Sequence, residues 1–247
     1  MFGSAYAAQA ADKAPPAADS GWTYNITQLG WIPKIKADAA MFGSPVLEVD
    51  LKFKDIIKDV NWSDFPPIWE MNGEIRNGRF GLFSEVISAA LEVSGSTSGP
   101  PAASLTVDLR MTVVTTLGSY RVAEQDKSHL DVVAGARLYD VRPKLKVAIG
   151  FLAGSAKDYH TWVDPVVGFK GNYELGNNFF VEGWGLIGGF DVSSKFMWDA
   201  WGGLGYRVNN LFSASAGWRH LSVDYEKGAF LFDADIDGPM LNFHFDF

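Results

Sequence analysis

The 247-residue chain has no cysteine. That removes disulfides, thiolate metal ligands and a cysteine nucleophile together. Although 47% of its residues are hydrophobic, no uninterrupted apolar run reaches the ~18 residues that a spanning helix needs. Excess positive charge is missing too. Asp and Glu number 29 against 21 Lys and Arg, a formal net charge of −8, so nucleic acid has no electrostatic foothold. Histidine is scarce, with four residues at 129, 160, 220 and 244, and no metal-binding spacing relates them. There is no G-x-S-x-G elbow and no P-loop. No cofactor, metal or nucleic-acid partner is expected. Helical periodicity is also nearly absent, which leaves the period of two.

Apolar and polar residues alternate in ten stretches. The first is WTYNITQLGW (22–31). IWEMNGEIR (68–76) and RFGLFSEVISAAL (79–91) follow, joined at Asn77-Gly78, a strong hairpin signal. The others are 104–121, LDVVAGARLYDV (130–141), WVDPVVGFKGNYEL (162–175), FFVEGWGLIGG (179–189), 195–208, 211–226 and a final strand ending MLNFHFDF. Short spacers (77–78, 122–129, 176–178, 209–210) alternate with longer ones (32–66, 94–103, 142–161, 190–194, 227–235). Ten up-and-down strands would put every short turn at one end. This predicts an all-β fold over residues 21–247: a transmembrane antiparallel barrel of ten strands, with eight or twelve as alternatives. Closure would remove the unpaired edges that lipid cannot tolerate. LEVDLKFKD (47–55) reads as an outward hairpin and DIIKDV (55–60) as a short helical turn. Residues 1–20 carry no fold pattern. Ala5-Tyr6-Ala7 and Ala8-Gln9-Ala10 fit small-x-small export cleavage sites, so Met1 is read as lying inside a truncated export signal.

The alternation also assigns faces. Leu130, Val132, Ala134, Ala136 and Leu138 share one side, as do Phe243, Phe245 and Phe247, and these would meet acyl chains. The opposite side would collect Glu74, Arg76, Glu85, Arg110, Arg137, Lys170, Glu174, Glu182, Asp199, Arg207 and Arg219. A ten-stranded barrel is too narrow to leave such charges hydrated, so they should pair across strands and leave at most a thin water path. Charge rings of that kind could alternatively filter small polar solutes, as in a porin. Trp22, Trp31, Trp69, Trp162, Trp198, Trp201 and Trp218 fall largely near strand ends, where indole rings favour the headgroup level.

The terminal MLNFHFDF resembles the C-terminal assembly signal of proteobacterial outer-membrane proteins. WTYNITQLGWIPKI, LEVDLKFKDII, EIRNGRFGLFSEVI, DVVAGARLYDV, WVDPVVGFK and AGWRHLSVDY together resemble a family of small alphaproteobacterial and pseudomonad outer-membrane barrels, porin-like and of the OmpA-type superfamily. The resemblance spans residues 22–247. It implies the outer membrane of a Gram-negative bacterium, a monomer, contact with lipid and lipopolysaccharide, and delivery to the barrel-assembly machinery through the last strand. It implies no particular activity, and His220 departs from it at a position more often Tyr.

Two stretches resemble enzymatic patterns. Asp158-Tyr159-His160 with Asp164 resembles the acid–histidine rim of omptin proteases, without a second acidic pair. His220 and Ser222, on one face with Asp233 or Asp235 on the next strand, resemble the triad of outer-membrane lipid A deacylases. A non-enzymatic barrel is the expectation, with structural or restricted-diffusion work. The alternatives are a lipid-modifying hydrolase using His220 and Ser222, or a soluble lipocalin-like barrel whose apolar faces point inward.

Overall fold

The computed structural model describes residues 21–40, 46–52, 68–97, 103–149 and 152–247. The export-signal reading (1–20) and the DIIKDV turn lie outside them. In chain order the strands are β1 (Trp22–Trp31), β2 (Lys34–Ala40), β3 (Leu47–Leu51), β4 (Ile68–Asn77), β5 (Phe80–Thr97), β6 (Ala103–Gln125), β7 (Ser128–Ile149), β8 (Leu152–Lys157), β9 (His160–Gly176), β10 (Phe179–Gly188), β11 (Phe196–Arg207), β12 (Phe212–Lys227) and β13 (Phe230–Asp246).

Ten of them form a closed wall in the order β1-β4-β5-β6-β7-β9-β10-β11-β12-β13, and β13 returns to β1 with Asn25 opposite Asp246 and Trp31 opposite Met240. Every pairing is antiparallel, the arrangement that short hairpins permit. β2 continues the line of β1 beyond Ile32-Pro33 and pairs with the outer part of β13, and β3 folds back on β2. β8 pairs with the outer part of β7.

Local chemistry sets the turns. At the first hairpin the central pair is Gly78-Arg79, one residue later than Asn77-Gly78, because Asn77 pairs with Phe80 and Gly78 takes the positive φ of +55°. That is the geometry of a turn with glycine at its first central position. Asn177 and Asn178 both adopt positive φ, a conformation Asn tolerates better than most residues. Asn209 Oδ1 accepts from the backbone N–H groups of Leu211 and Phe212, both at 2.8 Å, and closes the β11–β12 turn. In mid-wall, β6 and β7 approach so closely that a Cβ on Gly135 would stand 2.1 Å from the Thr116 carbonyl oxygen.

The outward strands are longer than the alternation suggested. Residues 227–235 are not a loop: β12 and β13 run on to a tight turn at Gly228-Ala229. Much of 142–161 is likewise β7, β8 and the start of β9.

The outer surface is oily. Ile26, Leu82, Leu130, Leu138, Val163, Val167, Leu204, Leu241, Phe243 and Phe245 are all exposed on it. Near the short turns it ends in exposed rings, including Trp22, Tyr24, Phe80, Tyr120, Tyr173, Phe179 and Tyr206. Phe80 and Tyr120 lie 5.1 Å apart, and Phe179 and Tyr206 5.0 Å. Along β6, the outward positions from Tyr120 to Arg110 cover about 26 Å of height at the usual rise and a ~40° tilt. That matches the apolar height of a membrane barrel.

Candidate functional site

Inside the wall, charge is stacked in layers. The middle layer draws on eight strands. Glu70 (β4), Glu85 (β5), Arg137 (β7), Asp199 (β11) and Arg219 (β12) are each at most 1% exposed. Strand parity puts them there: each shares the inward phase of a buried neighbour, such as Ile68, Ile87, Tyr139, Met197 and Leu221. Arg219 occupies the hub. Its Nε and Nη2 donate to the two Asp199 carboxylate oxygens (3.0 and 2.7 Å). Its Nη1 and Nη2 donate to the two Glu85 oxygens (both 3.0 Å), and Nη1 also reaches Glu70. Arg137 donates to Asp199 Oδ2 (2.7 Å) and to Thr115 Oγ1 of β6 (2.8 Å). Trp184 Nε1 of β10 donates to Asp199 Oδ1 at 3.1 Å. The Arg219 guanidinium also lies over the rings of Trp31 (β1) and Trp184, each centred 5.0 Å away. Planar forks fit carboxylates and stack on aromatic faces, which is why Arg rather than Lys suits this place.

Towards the short turns a second layer follows. Arg76 bonds Glu74, Ser119 and Asp131, Lys170 bonds Glu74, and Arg121 bonds Asp131 at 3.1 Å. Arg207 donates to Glu174 at 2.6 Å. Glu182 accepts from Ser215 (2.5 Å) and lies 3.0 Å from His244 Nε2, while His244 Nδ1 meets Thr27 Oγ1 at 2.9 Å. Of these groups, Thr27, Glu74, Arg76, Arg121, Lys170, Glu182, Arg207 and His244 line a polar cavity of about 650 Å³.

On the outward side the interior changes character. Ile35, Ile68, Ile87, Met111, Val141, Phe232 and Ile236 are all buried there, around a second cavity of about 310 Å³. Its floor is the charged middle layer, since Trp31 both lines it and covers Arg219. Beside it, Trp162 stacks between Tyr139 (4.8 Å) and Tyr225 (3.9 Å), and its Nε1 donates to Ser194, which in turn donates to Asp164 at 2.6 Å.

Ten of the eleven charged residues assigned inward thus face the interior, gathered in separate layers, and Arg110 does not. It is exposed on the outside, opposite Arg142 of β7, while its neighbour Met111 is buried. The cause is an inversion of the apolar phase. On outer β6, Val107, Leu109 and Met111 line the interior cavity, so the rule "apolar faces lipid" gives the wrong parity. The tryptophans also divide. Trp22, Trp198 and Trp218 are exposed outward, whereas Trp31, Trp162 and Trp201 are buried inside. The alternation did not assign Glu70, Arg121 or Asp131 inward, although Glu70 shares the parity of Glu74, and Asp131 that of Arg137; Asp164, read only as part of a rim pattern, is buried inside as well.

Neither enzymatic pattern assembles a triad. His160 Nε2 lies 2.9 Å from Asp158, but Asp164 is buried with Ser194, and the His160 ring stacks on Phe230. Asp158 lies outside the apolar band. The backbone N–H of Tyr159, with help from His160, holds its carboxyl below the usual aspartate range. His220 and Ser222 both face outward. His220 stacks on Trp198 (4.2 Å) and stands 3.6 Å from both Asp235 and Asp237, with no hydrogen bond to Ser222 among the described residues. Asp233 lies further out, opposite Asp224 and Asp38.

No protein-family model matches the chain, and no curated protein matches it. Among solved structures, the chain is similar to the outer-membrane protease OmpT of Escherichia coli. The identity is 10%, the TM-score 0.55, and the match covers 96% of this chain and 99% of that one. The translocator domain of autotransporter NalP from Neisseria meningitidis gives 9% identity and a TM-score of 0.45, covering 93% and 90%. Ail, the attachment invasion locus protein of Yersinia pestis, gives 12% and 0.36, covering 92% and 99%. The OmpT likeness establishes a shared fold: a closed, antiparallel up-and-down β-barrel.

Proposed function

We propose that the protein is an integral outer-membrane barrel with a lumen closed at mid-height, serving the envelope as a structural element rather than as an enzyme or an open pore. The observation that carries this reading is the middle layer, where Arg137, Asp199 and Arg219 are fully buried and bonded across the barrel. An aqueous path would wet these groups. The oily exterior and its height support a membrane location, and the aromatic ring near the short turns supports the placement of that end at a lipid–water interface. Arg110 and Arg142, paired across β6 and β7 at the other end of the band, would meet lipopolysaccharide phosphates. The resemblance of the protein's strands to those of small proteobacterial barrels supports the same reading. β13, which closes the wall on both β1 and β12, is the strand proposed to engage the assembly machinery.

Planar-bilayer recording of the refolded protein tests the reading. A closed lumen gives no conductance steps above the bare membrane. Regular ion-selective steps would instead favour restricted diffusion through the polar cavity.

A further inference from the structure

The outward cavity has features that lipid anchoring and lumen closure do not require. We propose that it is a binding site for a compact, uncharged, hydrocarbon-like molecule, aromatic or alicyclic, taken from the outward side. Its volume of about 310 Å³ stands at the lower end of ordinary ligand pockets, which run from ~300 to ~1,000 Å³. Its walls come from β1, β2, β3, β4, β5, β6, β7 and β13, and its buried lining includes Ile87, Met111, Val141, Phe232 and Ile236. Among the described residues Glu48 is the one charged group in that lining, and it disfavours an anionic guest. Such an apolar chamber is expensive to fill with water and receptive to apolar guests.

Two further observations define the guest. Trp31 lines the chamber and is 5% exposed, yet its Nε1 has no hydrogen-bond partner among the described residues. A buried indole N–H ordinarily has one. The guest can therefore carry one acceptor without loss, but not a charge. Second, the floor is closed: the Trp31 ring rests on Arg219, the hub of the ion-pair layer. A molecule that enters cannot proceed to the polar cavity without dismantling that layer. The chamber is a place of residence and not a segment of a channel.

The test uses the full chain refolded in micelles, with 1-fluoronaphthalene as the probe, followed by fluorine NMR. Partition into micelles is common to every sample, so the comparison is with a filled chamber. Ala234 is 1% exposed and lines the chamber; Ala234→Phe fills it from the wall. Ala37→Phe fills it from β2, outside the ten-stranded wall, should the first substitution impair folding. The wild type is expected to show a saturable bound signal at one probe per protein, weakened at least tenfold in a folded filled variant. The charged analogue 4-fluoro-1-naphthoate is expected to give no bound signal. Equal uptake by wild-type and filled proteins, equal uptake of the naphthoate, or no saturable uptake at all would overturn the proposal. So would native mass spectrometry showing one intact lipid per protein that the probe cannot displace.

Discussion

Replacing Arg219 with Met should be the most damaging single exchange in the barrel interior. The guanidinium makes five hydrogen bonds, two to Asp199, two to Glu85 and one to Glu70, and none of the four side chains is more than 2% exposed. Methionine preserves much of the volume and keeps contact with Trp31 and Trp184. What it removes is the cation. Three buried carboxyl groups would then share Arg137 alone. Breaking a buried ion-pair network by deleting one partner typically costs about 3–5 kcal/mol. The control is Arg142→Ala. Its partner is Asp140 at 2.6 Å, but the Arg142 side chain is 58% exposed, so solvent screens the pair and the loss should be far smaller than at Arg219. Equilibrium urea unfolding in lipid vesicles, followed by tryptophan fluorescence and by heat-modifiable gel mobility, measures both. A loss at Arg219 no larger than at Arg142 would refute the view that the middle layer organises the interior.

Other substitutions probe other parts of the structure. Ala134 lies outward in the middle of the apolar band, so Ala134→Arg should cost about 2–4 kcal/mol in the same urea assay. Gly135→Ala should destabilise by roughly 1–3 kcal/mol, since its Cβ would be forced towards the Thr116 carbonyl and the wall must shift. Carbon-detected NMR should place the Asp158 titration below that of an ordinary aspartate, with the contribution of that contact present at neutral pH and lost as pH falls through the lowered pKa. His160→Ala should move the midpoint upward. His220→Ala and Ser222→Ala proteins should handle lipid A no differently from the parent in mass spectra of extracted lipid, and a deacylated product made only by the parent would revive the hydrolase reading.

The alternation made the wall legible because a strand in a barrel has one oily and one wet face over most of its length. Ten runs, several of their short turns and the orientation of Leu138, Arg137 and Phe243 followed from that one rule. The rule fails where the interior is the apolar face and the outward face is polar. On outer β6 and β13 the interior is a hydrophobic chamber, so Arg110 was assigned to the wrong side and 227–235 passed for a loop. Asp233, Asp235 and Asp237 made that stretch look like an acidic spacer, yet Phe232, Ala234 and Ile236 between them are buried. Which charges meet was not legible either. Partners such as Arg219 and Glu70 are 149 residues apart, and their contact depends on the stagger of the closed sheet. Trp31 looked like a headgroup anchor because it ends a strand, and nothing local reveals that an arginine waits across the barrel for its ring.

Because the chain has no cysteine, one introduced thiol reports the state of the middle layer directly. Thr115 is fully buried there and accepts from Arg137. A Thr115→Cys protein, reconstituted in vesicles and exposed to a charged, water-soluble thiol reagent on both sides, should remain unlabelled for as long as it stays folded. Rapid labelling of the folded protein from either side would mean that water runs through the layer and that the lumen is open.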